Sequence, residues 1–216
     1  HAVECAVETK HNLNLYCKSL SQESVDLLSR FKGENLSIHG LHELSDSLAE
    51  GLSNTQGNGL QIYSKQKELK ETAAQHLGTF QGEWLEIDCQ ILSPKAANYL
   101  CQFKGELILY ELQEIPTEEF ARKLLDSETD FAKVRSLTDS IMKLLSESGS
   151  ALQLELLESL SDEAAEFLSG HQSNRSINGF SLHLDKIKKL SDSAAESLSK
   201  YAATNSGIYL GGLKTI

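Results

Sequence analysis

Tyr16, His39, Tyr63, Asp88 and Tyr110 recur at intervals of 22 to 25 residues, so groups able to stack, hydrogen-bond or carry charge return at one phase of the chain. That is chemistry for binding, because tyrosine and tryptophan each bury a large ring and keep a polar edge. Trp84, the only tryptophan, and Ile108 fall close to the same phase. Chemistry for breaking bonds is harder to find. His39 and His42 lie three residues apart, but zinc needs at least three protein ligands and no third lies near them in sequence, so two solvated imidazoles are expected and no metal. Carboxylate pairs such as Glu118-Glu119 follow a hydroxyl residue and read as the first turn of a helix before they read as an acid–base pair. GxSxG, HExxH, a phosphate-cradling glycine loop and CxxC are all absent from the sequence. Hence no catalytic residue and no cofactor is expected, and the chain does not read as an enzyme.

Composition narrows the partners. The 216 residues carry 31 acidic and 20 basic side chains, a net charge of −11, with no basic cluster longer than Lys188-Lys189. A phosphate backbone or an anionic lipid surface needs the opposite, so nucleic acid is excluded as an expected partner. No apolar run approaches the roughly 20 residues that cross a bilayer, so no membrane insertion is expected. The chain opens on His1 in place of Met, as a fragment or processed form would, and compartment and oligomeric state stay open. Four cysteines are too few to build the fold. Cys5 and Cys17 are twelve apart, as are Cys89 and Cys101; buried or reduced thiols are expected, with a Cys5–Cys17 bridge closing an N-terminal cap as the alternative. Of the sequons at Asn35 and Asn174, neither is expected to carry a glycan, since Asn35 adjoins a strand residue that must be buried.

The elements that must position the aromatic residues come from a repeat. Aligned on an apolar alternation and on the Ser or Thr that follows it, the chain divides into units whose helix starts are Ser21, Ser45, Lys70, Ser93, Thr117, Thr138, Ser161 and Ser191. Successive starts are 21 to 30 residues apart, the longest interval containing the polar insertion GHQSNRSING, expected as a loop. Leu152 to Leu168 states the unit most plainly: Leu152 and Leu154 alternate as a half-buried strand does, Leu157 and Leu160 follow, and Ala164, Ala165 and Leu168 share one helical face. Ser-Asp and Thr-Glu pairs at the starts supply an N-cap hydroxyl and a first-turn carboxylate, which accounts locally for much of the acidity. Neither strand nor helix can bury its apolar side alone, so units must stack into a curved α/β solenoid. Residues 1–12 read as an N-terminal segment or cap and 13–216 as a single repeat domain of about eight and a half strand–helix units.

The order L-x-L-x-x-L-x-x-L-S-D, present at Leu36, Ile38, Leu41, Leu44, Ser45 and Asp46 and again from Leu152 to Asp162, resembles leucine-rich repeats, closest to the cysteine-containing subclass. That subclass has Cys or Asn where this chain has Leu41, Leu112, Leu157, Ile187 and Leu213, as a divergent variant would. The resemblance implies a horseshoe with parallel strands on the concave face and helices on the convex face. It also implies binding of other molecules, usually proteins, through the concave sheet.

Numbering each strand from its first buried leucine, positions 0 and 2 face the core, and positions 1 and 3 should face solvent. The expected binding face therefore comprises Tyr16, His39, Tyr63, Trp84, Asp88, Ile108 and Tyr110. The expected function is protein or peptide recognition; the alternatives are a structural or adhesin-type spacer from a longer array, which the strand at Ile208 to Ile216 without a following helix would fit, and carbohydrate binding at the aromatic stripe.

Overall fold

A computed structural model describes residues 11–127, 129, 131–149, 152–171, 182–201 and 207–215. Cys5, and with it the Cys5–Cys17 bridge, most of the N-terminal cap, most of the polar insertion and the Asn174 sequon lie outside the described residues. The chain divides into two compact units, His1–Leu109 with Asp126–Thr129, and Tyr110–Leu125 with Asp130–Ile216. No helix among the described residues is long and apolar enough to cross a membrane.

The first unit is a parallel sheet backed by helices. Strands β1 (Leu13–Tyr16), β2 (Asn35–Leu41) and β3 (Gly59–Ser64) alternate with α1 (Gln22–Leu28) and α2 (Asp46–Ser53). The short β4 (Glu68–Leu69), α3 (Glu71–Leu77), β5 (Trp84–Asp88), β6 (Ile91–Leu92), α4 (Pro94–Leu100) and β7 (Glu106–Ile108) complete it. Five strands form one sheet in the order β1-β2-β3-β5-β7, and β4 pairs with β6 in a separate two-stranded ladder. Register keeps the repeats in phase: Leu13, Leu36, Leu60, Leu85 and Leu107 lie opposite one another in turn, as do Leu15, Ile38, Ile62 and Ile87. The second unit holds α5 (Glu118–Leu125), α6 (Asp139–Glu147), α7 (Asp162–Ser169) and α8 (Asp192–Ser199), with β8 (Leu182–His183) and β9 (Ile208–Tyr209) paired in parallel.

Among the described residues all eight helices start one residue after the expected cap. The hydroxyls of Ser21, Ser45, Ser93, Thr117, Thr138, Ser161 and Ser191 each accept the N–H three residues on, at 2.9–3.3 Å. Lys70 has no such bond. Several cap hydroxyls also donate backwards: Ser93 to Glu71 at 3.1 Å, Ser161 to Asp139 and Ser191 to Asp162. One serine therefore caps its own helix and ties it to the first turn of the helix before. The Lys95 ammonium and then the Ser93 hydroxyl hold the Glu71 carboxyl below the usual carboxylate range. The Ser-Asp pairs are scaffold on both counts.

Three features correct or extend the reading of the repeats. The sixth repeat, whose alternation at Thr129 and Phe131 aligns with the strand starts of the others, forms no strand at Thr129; the Thr129 hydroxyl donates to the Leu107 carbonyl at 3.0 Å and accepts the Leu109 N–H at 3.1 Å, so one side chain takes two backbone groups a neighbouring strand would have paired. Leu152 and Leu154 are buried as expected but form no strand. Behind the sheet of the first unit runs a column of buried rings, Phe31, Phe80 and Phe103, each three residues after the last leucine of its helix. Phe80 and Phe103 stack at 5.9 Å. Each ring lies against the glycine two residues on, where a Cβ at Gly33, Gly82 or Gly105 would come within 2.3–2.6 Å of the ring tip.

Candidate functional site

In a parallel sheet in register, equivalent side chains of neighbouring strands sit about 4.8 Å apart on one face. Planar groups at one position then stack by geometry alone. Tyr16, His39 and Tyr63, paired across β1, β2 and β3, do so with centroid separations of 4.7 and 4.6 Å and rings within 12° of parallel. Tyr16, the last ring of the stack among the described residues, is 81% exposed. Asp88 follows in register beside Tyr63 and is partly exposed. His39 is thus committed to a ring stack, and His42 lies past a bulge at Gly40, whose φ is +83°, beside Glu43, Gln66, Glu68 and Lys70. Among the described residues no three His, Cys, Asp or Glu side chains group as a metal ion would need.

The outward row at position 1 carries a polar network that the leucine alignment did not single out. The Ser37 hydroxyl donates to Gln61 Oε1, Gln61 Nε2 donates to Glu86 Oε2 at 2.8 Å, and the Tyr63 hydroxyl donates to Glu86 Oε1 at 2.6 Å. Ser37 and Glu86 are buried, at 3% and 9% exposure, although they face outward. Ile108, next to Glu86 in register, is also buried at 8%, which corrects the expectation that this position is open to solvent. Each packs against its neighbours across the ladder, so outward does not mean exposed there.

Trp84 begins β5 directly opposite Gly59 on β3. A Cβ on Gly59 would stand 2.1 Å from Cε2 and 2.2 Å from Cζ2 of the indole, and 2.6 Å from Asn35 Oδ1. The ring therefore lies over the glycine, filling the space a side chain would take, and remains partly exposed. Asn35 donates to Asn12 at 2.9 Å, continuing the row.

Of the seven expected residues, Tyr16, His39, Tyr63, Trp84, Asp88 and Ile108 belong to the sheet of the first unit. Tyr110, 40% exposed, belongs to the second unit. Ser37, Gln61 and Glu86 were missed, although position 1 read across the repeats (Asn14, Ser37, Gln61, Glu86) shows the polar series plainly. The second unit has its own pair: His183 stacks on Tyr209 at 4.4 Å with its Nδ1 3.4 Å from Asp185.

Burial first, then the Asp88 charge, pushes the Cys89 thiol up to about 12, and burial raises that of Cys17, so both are held away from the reactive thiolate. A polar pocket of about 440 Å³ lies elsewhere in the unit, lined by Thr55, Gly57, Asn58, Gln81 and Gly82 among others. Thr55, itself buried, stands where the neighbouring repeats place Phe31 and Phe80. Compared with known proteins, the chain matches no family model and no curated protein.

Proposed function

We propose that the protein is a non-enzymatic binding module, a leucine-rich-repeat solenoid of the horseshoe type with strands on its concave side and helices on its convex side. On this reading it recognises a protein or peptide through the outward face of β1, β2, β3, β5 and β7. The observation that carries the proposal is the row of aromatic and polar side chains there that the core does not require: the stacked Tyr16, His39 and Tyr63, the indole of Trp84 laid over Gly59, and the Ser37-Gln61-Glu86 network between them. The parallel in-register strands and the one helix per repeat support the solenoid part of the reading. Such a face is rigid before binding, because stacking and hydrogen bonds already hold the side chains, and this lowers the ordering cost of association.

The test is selection of displayed peptides on the full chain, followed by affinity measurement against Tyr16→Ala/Trp84→Ala. Loss of two aromatic anchors should weaken selected peptides by about 30-fold or more, the equivalent of about 2 kcal/mol. Peptides that bind the double variant as well as the parent would overturn the assignment of the face. A glycan array that captures the parent through the same two residues, with no peptide enriched, would replace the protein-binding reading with carbohydrate recognition.

A further inference from the structure

We propose that the ligand of this face is an extended peptide presenting an arginine, whose guanidinium seats between the indole of Trp84 and the carboxylate of Glu86. This rests on the sheet-face reading above and adds to it the chemistry of the partner. Three observations converge on a cation.

First, Glu86 is nine-tenths buried, yet both its hydrogen-bond donors, Gln61 and Tyr63, are neutral. Each carboxylate oxygen accepts one of these bonds, and about four lone-pair sites are present where two bonds are made. Among the described residues no lysine, arginine or histidine forms an ion pair with it. Burying a carboxylate among neutral donors is unfavourable unless a cation arrives, so the site is built to gain from one.

Second, the strands themselves contribute acidic side chains and no lysine or arginine: Glu86, Asp88 and Glu106 all belong to the β5 and β7 side of the sheet. A chain of net charge −11 with its cations kept out of these strands attracts and orients a basic partner.

Third, Trp84 lies two residues before Glu86 on the same face, about 7 Å along the strand. One side of its ring rests over Gly59, and among the described residues no ring or cation stacks on it. Tryptophan is the strongest aromatic partner for a cation. Arginine fits better than lysine, because a planar guanidinium can stack on the indole and direct its N–H groups at the carboxylate together, which a compact ammonium cannot.

The single tryptophan makes the site its own reporter. Four pools of capped nonapeptides, with uncharged residues at every varied position and arginine, citrulline, lysine or glutamate at the centre, would be titrated into the full chain while Trp84 emission is followed. The arginine pool should change the emission with half-saturation at least tenfold below that of citrulline, its uncharged near-isostere. Lysine should fall between them, and the preference should shrink with salt. Glu86→Gln should reduce arginine to the citrulline level at unchanged circular dichroism; if that variant proves unstable, Asp88→Asn should halve the preference or more. Equal response to arginine and citrulline, no response to either, or a preference that survives Glu86→Gln overturns the proposal. Displayed peptides that lack arginine yet depend on Tyr16 and Trp84 would overturn it and leave the sheet-face reading standing, whereas peptides indifferent to that pair would remove both.

Discussion

Replacing Gly59 with alanine should move Trp84 without altering it. The new Cβ would stand 2.1 and 2.2 Å from two indole atoms, where non-bonded carbons rest at about 3.5–4.0 Å, so the ring must retreat by roughly 1.4 Å or swing off the sheet. Gly59 lies in a strand and not in the left-handed region, so alanine adopts its backbone without strain and stiffens the unfolded chain, a gain of about 0.5–1 kcal/mol. Against this stands lost ring contact on the order of 50 Å², or about 1 kcal/mol. The two nearly cancel, and the urea midpoint should hardly move. Trp84 emission should shift to the red, acrylamide quenching should rise, and the affinity of selected peptides should fall at least tenfold. Unchanged emission would show that the indole does not rest on Gly59. A loss of more than about 3 kcal/mol would show that the ring is core, and the binding argument built on it would go with that result.

Three further outcomes follow from the scaffold. Ser161→Ala removes both an N-cap and the tie from α7 to Asp139, and urea unfolding should show a loss of about 0.5–2 kcal/mol; no loss would mean the hydroxyl is merely solvated. Thr55→Phe should overpack the phenylalanine column, since Thr55 is buried with its hydroxyl on the Leu52 carbonyl and the Phe31 ring already stands 3.1–3.2 Å from where a Cβ on Gly57 would be. A loss of about 1–3 kcal/mol in thermal or urea unfolding is expected, and a gain would show that the column has room for a fourth ring. Cys89, with its thiol at about 12 against the usual 9.0, is held protonated by the fold. Its contribution to stability is complete below about pH 9 and declines as pH rises from there toward 12; maleimide at pH 8 should leave Cys89 unlabelled until the protein is unfolded, and labelling of the native chain would contradict its burial.

The helix starts were legible because they rest on local chemistry. A cap hydroxyl and an apolar helical face need no distant partner to start an amphipathic turn, and seven of the eight helices among the described residues begin one residue after such a hydroxyl, the exception following Lys70. The strand phase was legible in β1, β2, β3, β5 and β7 for a similar reason, since alternation of period two admits only one buried face. It failed at Thr129, where a side chain stands in for a strand, and at Leu152 and Leu154, which keep the burial without the pairing. Burial alone does not make a ladder; a neighbour in register does.

For the candidate site the division is sharper. That Tyr16, His39 and Tyr63 share one phase follows from the repeat length, and the length of the repeat is local information. That they stack with parallel rings, that Trp84 crosses to lie over Gly59, and that an outward-facing Glu86 accepts from Gln61 and Tyr63 all depend on side chains more than twenty residues apart being brought to one strand spacing. The sequence by itself determined which residues line the inner and outer faces of each strand. Only the tertiary structure decided which outer residues are buried and what they hold, because exposure on a sheet is set by the neighbours across the ladder and not by the direction in which a side chain leaves its own strand.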